Sequence, residues 1–483
     1  MTSATRDGLL HLDPKWRAFG AIALVFVTIV FATSMSFLVL TSISEEFDVT
    51  LGAVSWVVIV ESLIVAALLL PLGGVGDRLG RRRVLAAGMA LFGVGCVLTG
   101  LAPTFSLVIV ARIITSIGNA LVQSIGTGLL VGSFPSAERG LAMGAQTTAV
   151  SVGSATGPLL TGVLLDVISW RAIFVLLAIP SAVSVISIVG LIERDEPTAG
   201  VIRRVNLRSA VLSAGAITAL TLTINNPFDW SWRSVPIAVG LAISLVLFGG
   251  YVRWELASTD PMLDLRLFRI GAYRTAVMVR WIGFLAATTI TLLLPILLLS
   301  VLEVDGVITG VVLSIMAVGT GVSAQVSGRL YDRSGPRMAT IVGLGLQSAV
   351  LAAIAFVDTS TPWGWLAVAA LIQGVALGLW NVPNNSAMMG ATPPESFGVG
   401  GAFTNVTRTM GNVFGQAIAA AVVVAVLRDQ GFDIPLGDIE DTPGAAPSFV
   451  DGWRLAMLIS AALTVALGLV ATRLGWDEDE RRG

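Results

Sequence analysis

Runs of about 20 apolar residues recur from one end of this chain to the other, and each is long enough as a helix to cross about 30 Å of hydrocarbon. Inside a bilayer no water is available to bond the backbone, so such runs satisfy their own N–H and C=O groups by becoming helices. Composition agrees. The 483 residues are 55% hydrophobic and 12% charged, with a mean hydropathy of +0.87, whereas soluble domains carry roughly 25% charged residues. Breaks at charged or Gly/Pro-rich points divide the runs into fourteen spans: 17–42, 52–75, 83–102, 105–132, 140–167, 171–192, 208–225, 234–252, 272–300, 307–330, 338–357, 364–389, 398–427 and 453–474. The fold class expected is an all-α membrane protein. No small-residue cleavage site follows the first run, which reads as a retained span.

An even number of spans puts both termini on one side. With that side cytoplasmic, the inner loops hold Arg78, Arg81, Arg82, Arg83, Arg139, Arg194, Arg203, Arg204, Arg266, Arg269, Arg329, Arg333 and Arg337. The outer loops then hold mainly acids, among them Glu45, Glu46, Asp229, Glu303, Asp305, Asp433, Asp438, Glu440 and Asp441. The reverse orientation would place nearly all the Arg outside, against the positive-inside rule. Trp16, Trp56, Trp170, Trp230, Trp254, Trp363 and Trp453 fall near span ends, where amphipathic rings favour the interface.

One polar connection occurs twice. Gly73-Gly74-Val75-Gly76-Asp77-Arg78-Leu79-Gly80-Arg81 follows span 2, and Gly328-Arg329-Leu330-Tyr331-Asp332-Arg333-Ser334-Gly335 follows span 10 with Asp332 lying 332 − 77 = 255 residues after Asp77. Two copies in equivalent places indicate two homologous six-span halves, residues 1–192 and 272–483. Residues 193–271 then form a connector carrying two inserted spans. In this connection Gly73 and Gly76 permit a close helix approach and Gly80 a tight turn. Asp77 and Asp332, flanked by Arg78, Arg81 and Arg333, are suited to meet a helix N-terminus or an arginine. A contact of that kind would act as a conformational latch.

With these features the chain resembles the major facilitator superfamily, Gly73 to Arg83 looking like its motif A. Arg112 in span 4, Gly153-x-x-x-Gly157-Pro158-x-x-x-Gly162 in span 5, Trp170-Arg171 opening span 6 and Arg408-x-x-Gly411-x-x-x-Gly415 in span 13 extend the likeness to the whole chain. With two extra central spans it is similar to the fourteen-span drug:proton antiporter branch. The resemblance implies alternating access and proton-coupled export of amphipathic organic compounds or drugs. Span 5, with its glycines and Pro158, would then be the interface helix. An importer, or a lipid or anionic-metabolite transporter or flippase without standard proton coupling, is the alternative.

Few ionisable groups lie deep in the spans: Glu61, Arg112 and Arg408, with Arg280 nearer one end. Such groups are costly in hydrocarbon and are functional candidates by default. Glu61 stands 61 − 52 = 9 residues into its span and Arg112 stands 112 − 105 = 7 into its own, a depth difference of ~3 Å at 1.5 Å per residue. They are expected to pair, either as the proton-coupling site or with Glu61 as no more than a fixed counter-ion for Arg112. The branch it resembles carries an Asp in span 1, but Phe31 to Thr41 contains no carboxylate, so Glu61 is the candidate to replace it. An acid opposite an arginine, where the dielectric is low, can take up and release a proton as water reaches it from either side.

Polar stripes on spans 4, 12 and 13 should line a central substrate cavity between the halves: Asn119 and Gln123; Trp380, Asn381 and Asn384; Asn405, Arg408 and Asn412, with Ser34 and Phe37 from span 1. A single Cys96 and a single His11 leave no basis for a disulfide or a Cys or His metal site, and no cofactor is expected. Phosphate-binding loops and nucleophile–base pairs are missing from the sequence, so an enzyme is not expected. The dispersed basic residues do not fit nucleic acid. The expected setting is a bacterial inner membrane, with the chain as a monomer and its partners a small-molecule or lipid-like substrate, protons and the bilayer.

Overall fold

The computed structural model describes residues 13–193, 206–226, 230, 234–258, 261–432, 434, 436, 439 and 442–473, except the side chains of residues 37, 51, 52, 158, 159, 166, 225, 395 and 473. Expectations concerning His11, Arg194, Arg203, Arg204, Asp229, Asp433, Asp438, Glu440, Asp441 and the side chains of Phe37 and Pro158 lie outside the described residues.

Among the described residues, fourteen helices are long and apolar enough to cross a membrane. They are α1 (Pro14–Leu38), α2 (Trp56–Leu79), α3 (Arg81–Leu101), α4 (Phe105–Gly132), α5 (Arg139–Val167) and α6 (Trp170–Leu191). The inserted pair is α7 (Leu207–Asn225) and α8 (Val235–Ala257). The remainder are α9 (Gly271–Ile296), α10 (Gly306–Ser334), α11 (Arg337–Ile354), α12 (Trp363–Ala391), α13 (Phe397–Asp429) and α14 (Ala445–Arg473). No strand occurs among the described residues.

The helices group into two compact units. The first comprises Met1–Glu138, Thr156–Leu267 and Met389–Val406, and the second Arg139–Ala155, Phe268–Met388 and Thr407–Gly483. Each unit therefore takes one stretch of α5 and one of α13.

Within the first unit, small residues set the helix spacing, because lipid gives apolar side chains no reason to prefer one another. A Cβ on Gly118 would lie 2.7 Å from the Gly88 carbonyl oxygen, and one on Gly88 would lie 3.2 Å from that of Gly118, so α3 and α4 touch backbone to backbone. The inserted α7 packs on α2 and on α8, to which it is joined by a hydrogen bond from Ser244 Oγ to the Ala216 carbonyl (3.0 Å). Leu245, Val246 and Phe248 of α8 are exposed, as suits a lipid-facing side. A short helix after α1, Leu40–Phe47, is held by Glu46, which accepts from Trp170 Nε1 (2.6 Å) and Arg171 Nε (2.8 Å). Arg171 also donates to the Ala102 carbonyl (2.6 Å), so one guanidinium ties three segments.

In the second unit the buried core joins α9, α11, α12 and α14 through Leu293, Leu297, Leu351, Leu366, Phe449 and Trp453. Trp453 Nε1 donates to the Ile354 carbonyl (2.7 Å) at the end of α11, where that oxygen also accepts from the Val357 N–H (3.3 Å). Pro295 removes a helical N–H just before α9 widens into a π turn over Leu297–Val301.

Two sequence expectations change in detail. The polar connection after span 2 is not an open hairpin: α2 continues through Asp77 and Arg78 to Leu79, and the chain turns on Gly80 alone, at φ +91°. Gly335 does the same after α10 at φ +73°. Both positions need glycine, since φ above zero is costly for other residues. Gly162, one of the glycines of the expected interface helix, makes no close approach among the described residues. Five residues beyond Gly157 it faces well round the helix, and a Cβ there meets no described atom within 4 Å, whereas one on Gly157 would sit 2.7 Å from Ser34 Cβ.

Substitution should separate these glycines. Gly73→Ala places a Cβ 2.8 Å from the Gly398 carbonyl oxygen and 2.9 Å from Ala402 Cβ, and should lower stability by about 1–3 kcal/mol. Gly162→Ala should be neutral or stabilise by about 0.5–1 kcal/mol through helix propensity. Thermal unfolding midpoints in detergent check both.

The Glu46 contacts predict a pH response. The hydrogen bond from Arg171 holds the Glu46 carboxyl below the usual carboxylate range, so the contact stabilises fully above that range and is lost as pH falls through the lowered value. The unfolding midpoint should drop more between pH 5 and about pH 3 for the parent than for Glu46→Gln.

Candidate functional site

In the first unit α2 and α4 bring Glu61 and Arg112 together, as their matched depths predicted. Arg112 is 1% exposed and Glu61 5%, and Nη2 of the guanidinium meets Glu61 Oε2 directly. The same Nη2 donates to Ser36 Oγ (3.0 Å), and Nε to the Val57 carbonyl (3.4 Å). Glu61 Oε1 accepts from Thr33 Oγ1 (3.0 Å) and Asn119 Nδ2 (3.0 Å). The Arg112 guanidinium also lies 5.6 Å from the centroid of the Phe174 ring. Both charges are thus neutralised and hydrogen-bonded, the arrangement that makes a buried pair tolerable.

Two of those bonds come from α1, at Thr33 and Ser36, within the stretch that lacks a carboxylate. Its hydroxyls reach the Glu61–Arg112 pair from a neighbouring helix, and Ser34 of that stretch packs against Gly157. From Asn119 the network continues: Gln123 Nε2 donates to Asn119 Oδ1 (2.8 Å), and Asn405 Nδ2 donates to the Gln123 carbonyl (2.7 Å). Thr115 and Ser116, on the same stripe, turn inward and bond the carbonyls of Ala111 and Arg112.

The duplicated connection builds two closely similar clasps. In the first unit Asp77 Oδ1 accepts from the Gly398 N–H (2.8 Å) and Oδ2 from the Val399 N–H (3.1 Å), at the start of α13. In the second unit Asp332 Oδ1 accepts from the Gly140 N–H and Oδ2 from the Leu141 N–H, each at 2.8 Å, at the start of α5. A carboxylate on the unpaired N–H groups of a helix N-terminus is favoured by both hydrogen bonding and the helix dipole. The close approach depends on glycine: a Cβ on Gly398 would lie 2.6 Å from the Gly73 carbonyl oxygen, and one on Gly140 would lie 2.4 Å from that of Gly328.

Arg81 reinforces the first clasp. Its Nε donates to Asp77 Oδ1 (2.8 Å), its Nη2 to the Pro394 carbonyl (2.6 Å), and its guanidinium lies 5.5 Å from the Phe397 ring centroid. Arg78 is half-buried and Arg333 exposed. The partners Gly140 and Gly398 escaped sequence reading, although a signal exists. Pro135-Ser136-Ala137-Glu138-Arg139-Gly140 and Pro393-Pro394-Glu395-Ser396-Phe397-Gly398 both run from proline through a single 3-10 turn to a glycine at the helix start.

The second-unit residues expected to line the cavity divide. Trp380 is fully buried, its Nε1 donating to Gln347 Oε1 (2.6 Å) and its ring edge-on to Phe284 at 5.0 Å. Asn384 is also fully buried and bonds the Trp380 carbonyl. These two are packing elements of α12 against α9 and α11. On another face of α12, Asn381 accepts from Arg280 Nη1 (2.6 Å), and on α13 Asn412 accepts from Thr288 Oγ1 (2.8 Å). Arg408 is half-buried one turn before Asn412, on the same face of α13. Among the described residues no group of three or more His, Cys, Asp or Glu is arranged to hold a metal ion.

Breaking the first-unit pair from one side should strand a charge. Arg112→Ala should cost about 3–5 kcal/mol, and Glu61→Gln with Arg112→Gln together should cost less than the two single losses summed. A double-mutant cycle on unfolding midpoints in detergent measures the coupling.

Comparison with known proteins gives one consistent answer. The model of the family described as Major Facilitator Superfamily matches residues 21–416 and 277–483. The chain is 24% identical over 379 residues to the riboflavin transporter RibZ of Clostridioides difficile, covering 78% of this chain and 81% of that protein. It is 26% identical over 477 residues to the multidrug efflux pump LfrA of Mycolicibacterium smegmatis, covering 96% and 91%. Among solved structures, the human organic anion transporter MFSD10 (TETRAN) matches with a TM-score of 0.65 at 15% identity, covering 94% of this chain and all of the other, a likeness of fold alone.

Proposed function

The chain belongs to the major facilitator superfamily and is a multi-pass membrane transporter, and on that footing we propose that it is a proton-coupled exporter of amphipathic organic compounds. The observation that carries this reading is the Glu61–Arg112 pair, held by Thr33, Ser36 and Asn119. Glu61 is the proton carrier. When protonated it releases Arg112, which retains Ser36 and the Val57 carbonyl as acceptors; when deprotonated it re-forms the pair. The kinship with LfrA supports efflux.

The bodies that move are the six-span halves, 1–192 and 272–483, with 193–271 as the insertion. Asp77 and Asp332 act as latches that part when the cytoplasmic side opens. The transporter works as a monomer in the inner membrane with both termini cytoplasmic, the orientation that the Arg distribution favours.

A second reading is favoured by one observation: α1 offers hydroxyls rather than a carboxylate to the pair. In that reading Glu61 is a fixed counter-ion for Arg112, and the chain moves a lipid or an anionic metabolite, or imports its substrate, without standard proton coupling.

Transport in proteoliposomes with an imposed pH gradient discriminates. Glu61→Gln should lose at least tenfold of pH-driven flux of a fluorescent dye panel; full retention would leave only the second reading. Gly140→Ala and Gly398→Ala, which crowd the latches without altering charge, should slow flux of the same dyes several-fold while leaving the Glu61 dependence in place.

A further inference from the structure

The Glu61–Arg112 pair is closed in on nearly every side. Arg112, Ser36 and Asn119 are each 1% exposed and Glu61 is 5% exposed. Among the described side chains hydrogen-bonded to the pair, Thr33 alone is half-buried rather than buried. Its accessible side is not the apolar one. Leu24, Val27 and Phe31 of α1 line an apolar groove with Leu164 of α5 and Leu176 of α6. Thr33 stands 33 − 24 = 9 residues after Leu24, two and a half turns at 3.6 residues per turn, and so lies on the opposite face of α1.

Thr33 is also the one partner of Glu61 able to hand over a proton. A hydroxyl oxygen carries an O–H donor and two acceptor lone pairs, so it can give one proton while receiving another. The Arg112 guanidinium only donates. Asn119 faces Glu61 with Nδ2, an orientation fixed by Gln123 Nε2 donating to Asn119 Oδ1 (2.8 Å), and an amide NH₂ group is a donor only. Ser36 gives its own O–H to the Ala32 carbonyl and receives from Arg112. Thr33 departs from the habit of its neighbours on α1. Thr28 and Ser36 return their protons to carbonyls four residues back, at Leu24 and Ala32 (2.8 and 2.9 Å), whereas Thr33 donates across to Glu61 Oε1 (3.0 Å).

We propose that Thr33 is the relay through which Glu61 gains and loses its proton. This rests on the reading of Glu61 as the proton carrier and adds the route to it. In loading, the Thr33 O–H bond breaks as its hydrogen bonds to Glu61 Oε1, and a hydronium ion on the accessible side gives a proton to Thr33 Oγ1. The products are a neutral carboxyl, an intact hydroxyl and one water molecule, and unloading reverses the same bonds. The charged and titratable groups acting at this point are Arg112 of α4 and the Cys96 thiol of α3, which feels both members of the pair. The helices packed on α2 otherwise carry charge only near their ends: Lys15 and Arg17 on α1, Arg81, Arg82 and Arg83 on α3, and Arg208 on α7. The 397–406 stretch of α13 carries none.

Two readouts on the full-length chain test the relay. Infrared difference spectra between about pH 9 and about pH 4, recorded without any substrate, report carboxyl protonation across the range of ordinary and buried acids. The band missing from Glu61→Gln belongs to Glu61. Thr33→Val, which keeps the shape and removes the hydroxyl, should shift that band, and Thr33→Ser should leave it near the parent position. In proteoliposomes with an imposed pH gradient, Thr33→Val should lower flux of the fluorescent dye panel at least tenfold, and Thr33→Ser by no more than about threefold. An unshifted Glu61 band or undiminished flux in Thr33→Val overturns the relay. So does a Thr33→Ser variant as slow as Thr33→Val, because the side chain would then act by its shape. The two claims fail separately. Flux lost in Glu61→Gln and kept in Thr33→Val removes the relay and leaves the exporter. Full flux in Glu61→Gln, with no band missing from its spectrum, removes the carrier and the relay with it.

Discussion

Hydrocarbon removes the force that sorts apolar side chains in water, so in this protein the helices are told apart by what little is not apolar. Glycines decide where two backbones can touch, and a handful of polar groups decide which helices must. The Gly88–Gly118 crossing, the Gly73–Gly398 and Gly328–Gly140 approaches and the Glu61–Arg112 pair are all cases of this rule. The long apolar runs supply helices; these contacts supply a particular arrangement of them.

Buried charge follows the same economy in two different ways. In the first unit an acid and a base on α2 and α4 complete each other, and Thr33, Ser36 and Asn119 add hydrogen bonds to the pair. In the second unit the buried Arg280 donates instead to a neutral amide oxygen, that of Asn381.

The fourteen helices were legible because length and apolarity are one-dimensional properties. The Glu61–Arg112 pairing was legible because depth in a bilayer can be counted along each span. What lay out of reach needed rotation about the helix axis or a partner far away in sequence. Gly162 reads as one more small residue until its facing is known. Trp380 reads as a cavity aromatic, yet its indole N–H is consumed by Gln347 and its ring by Phe284. The clasps were half legible: the aspartates stood out by repetition, but Gly140 and Gly398 matter for an atom they lack, and a missing atom leaves only a faint mark in a sequence.

Each clasp joins a carboxylate to two backbone N–H groups with backbones too close for a methyl group to enter, and hence too close for a layer of solvent. Whenever such a contact parts, both the anion and the helix end must be rehydrated, and when it closes those waters are expelled. The two states therefore differ in how much water they hold, and osmolality becomes a variable that shifts the balance between them without any solute touching the protein.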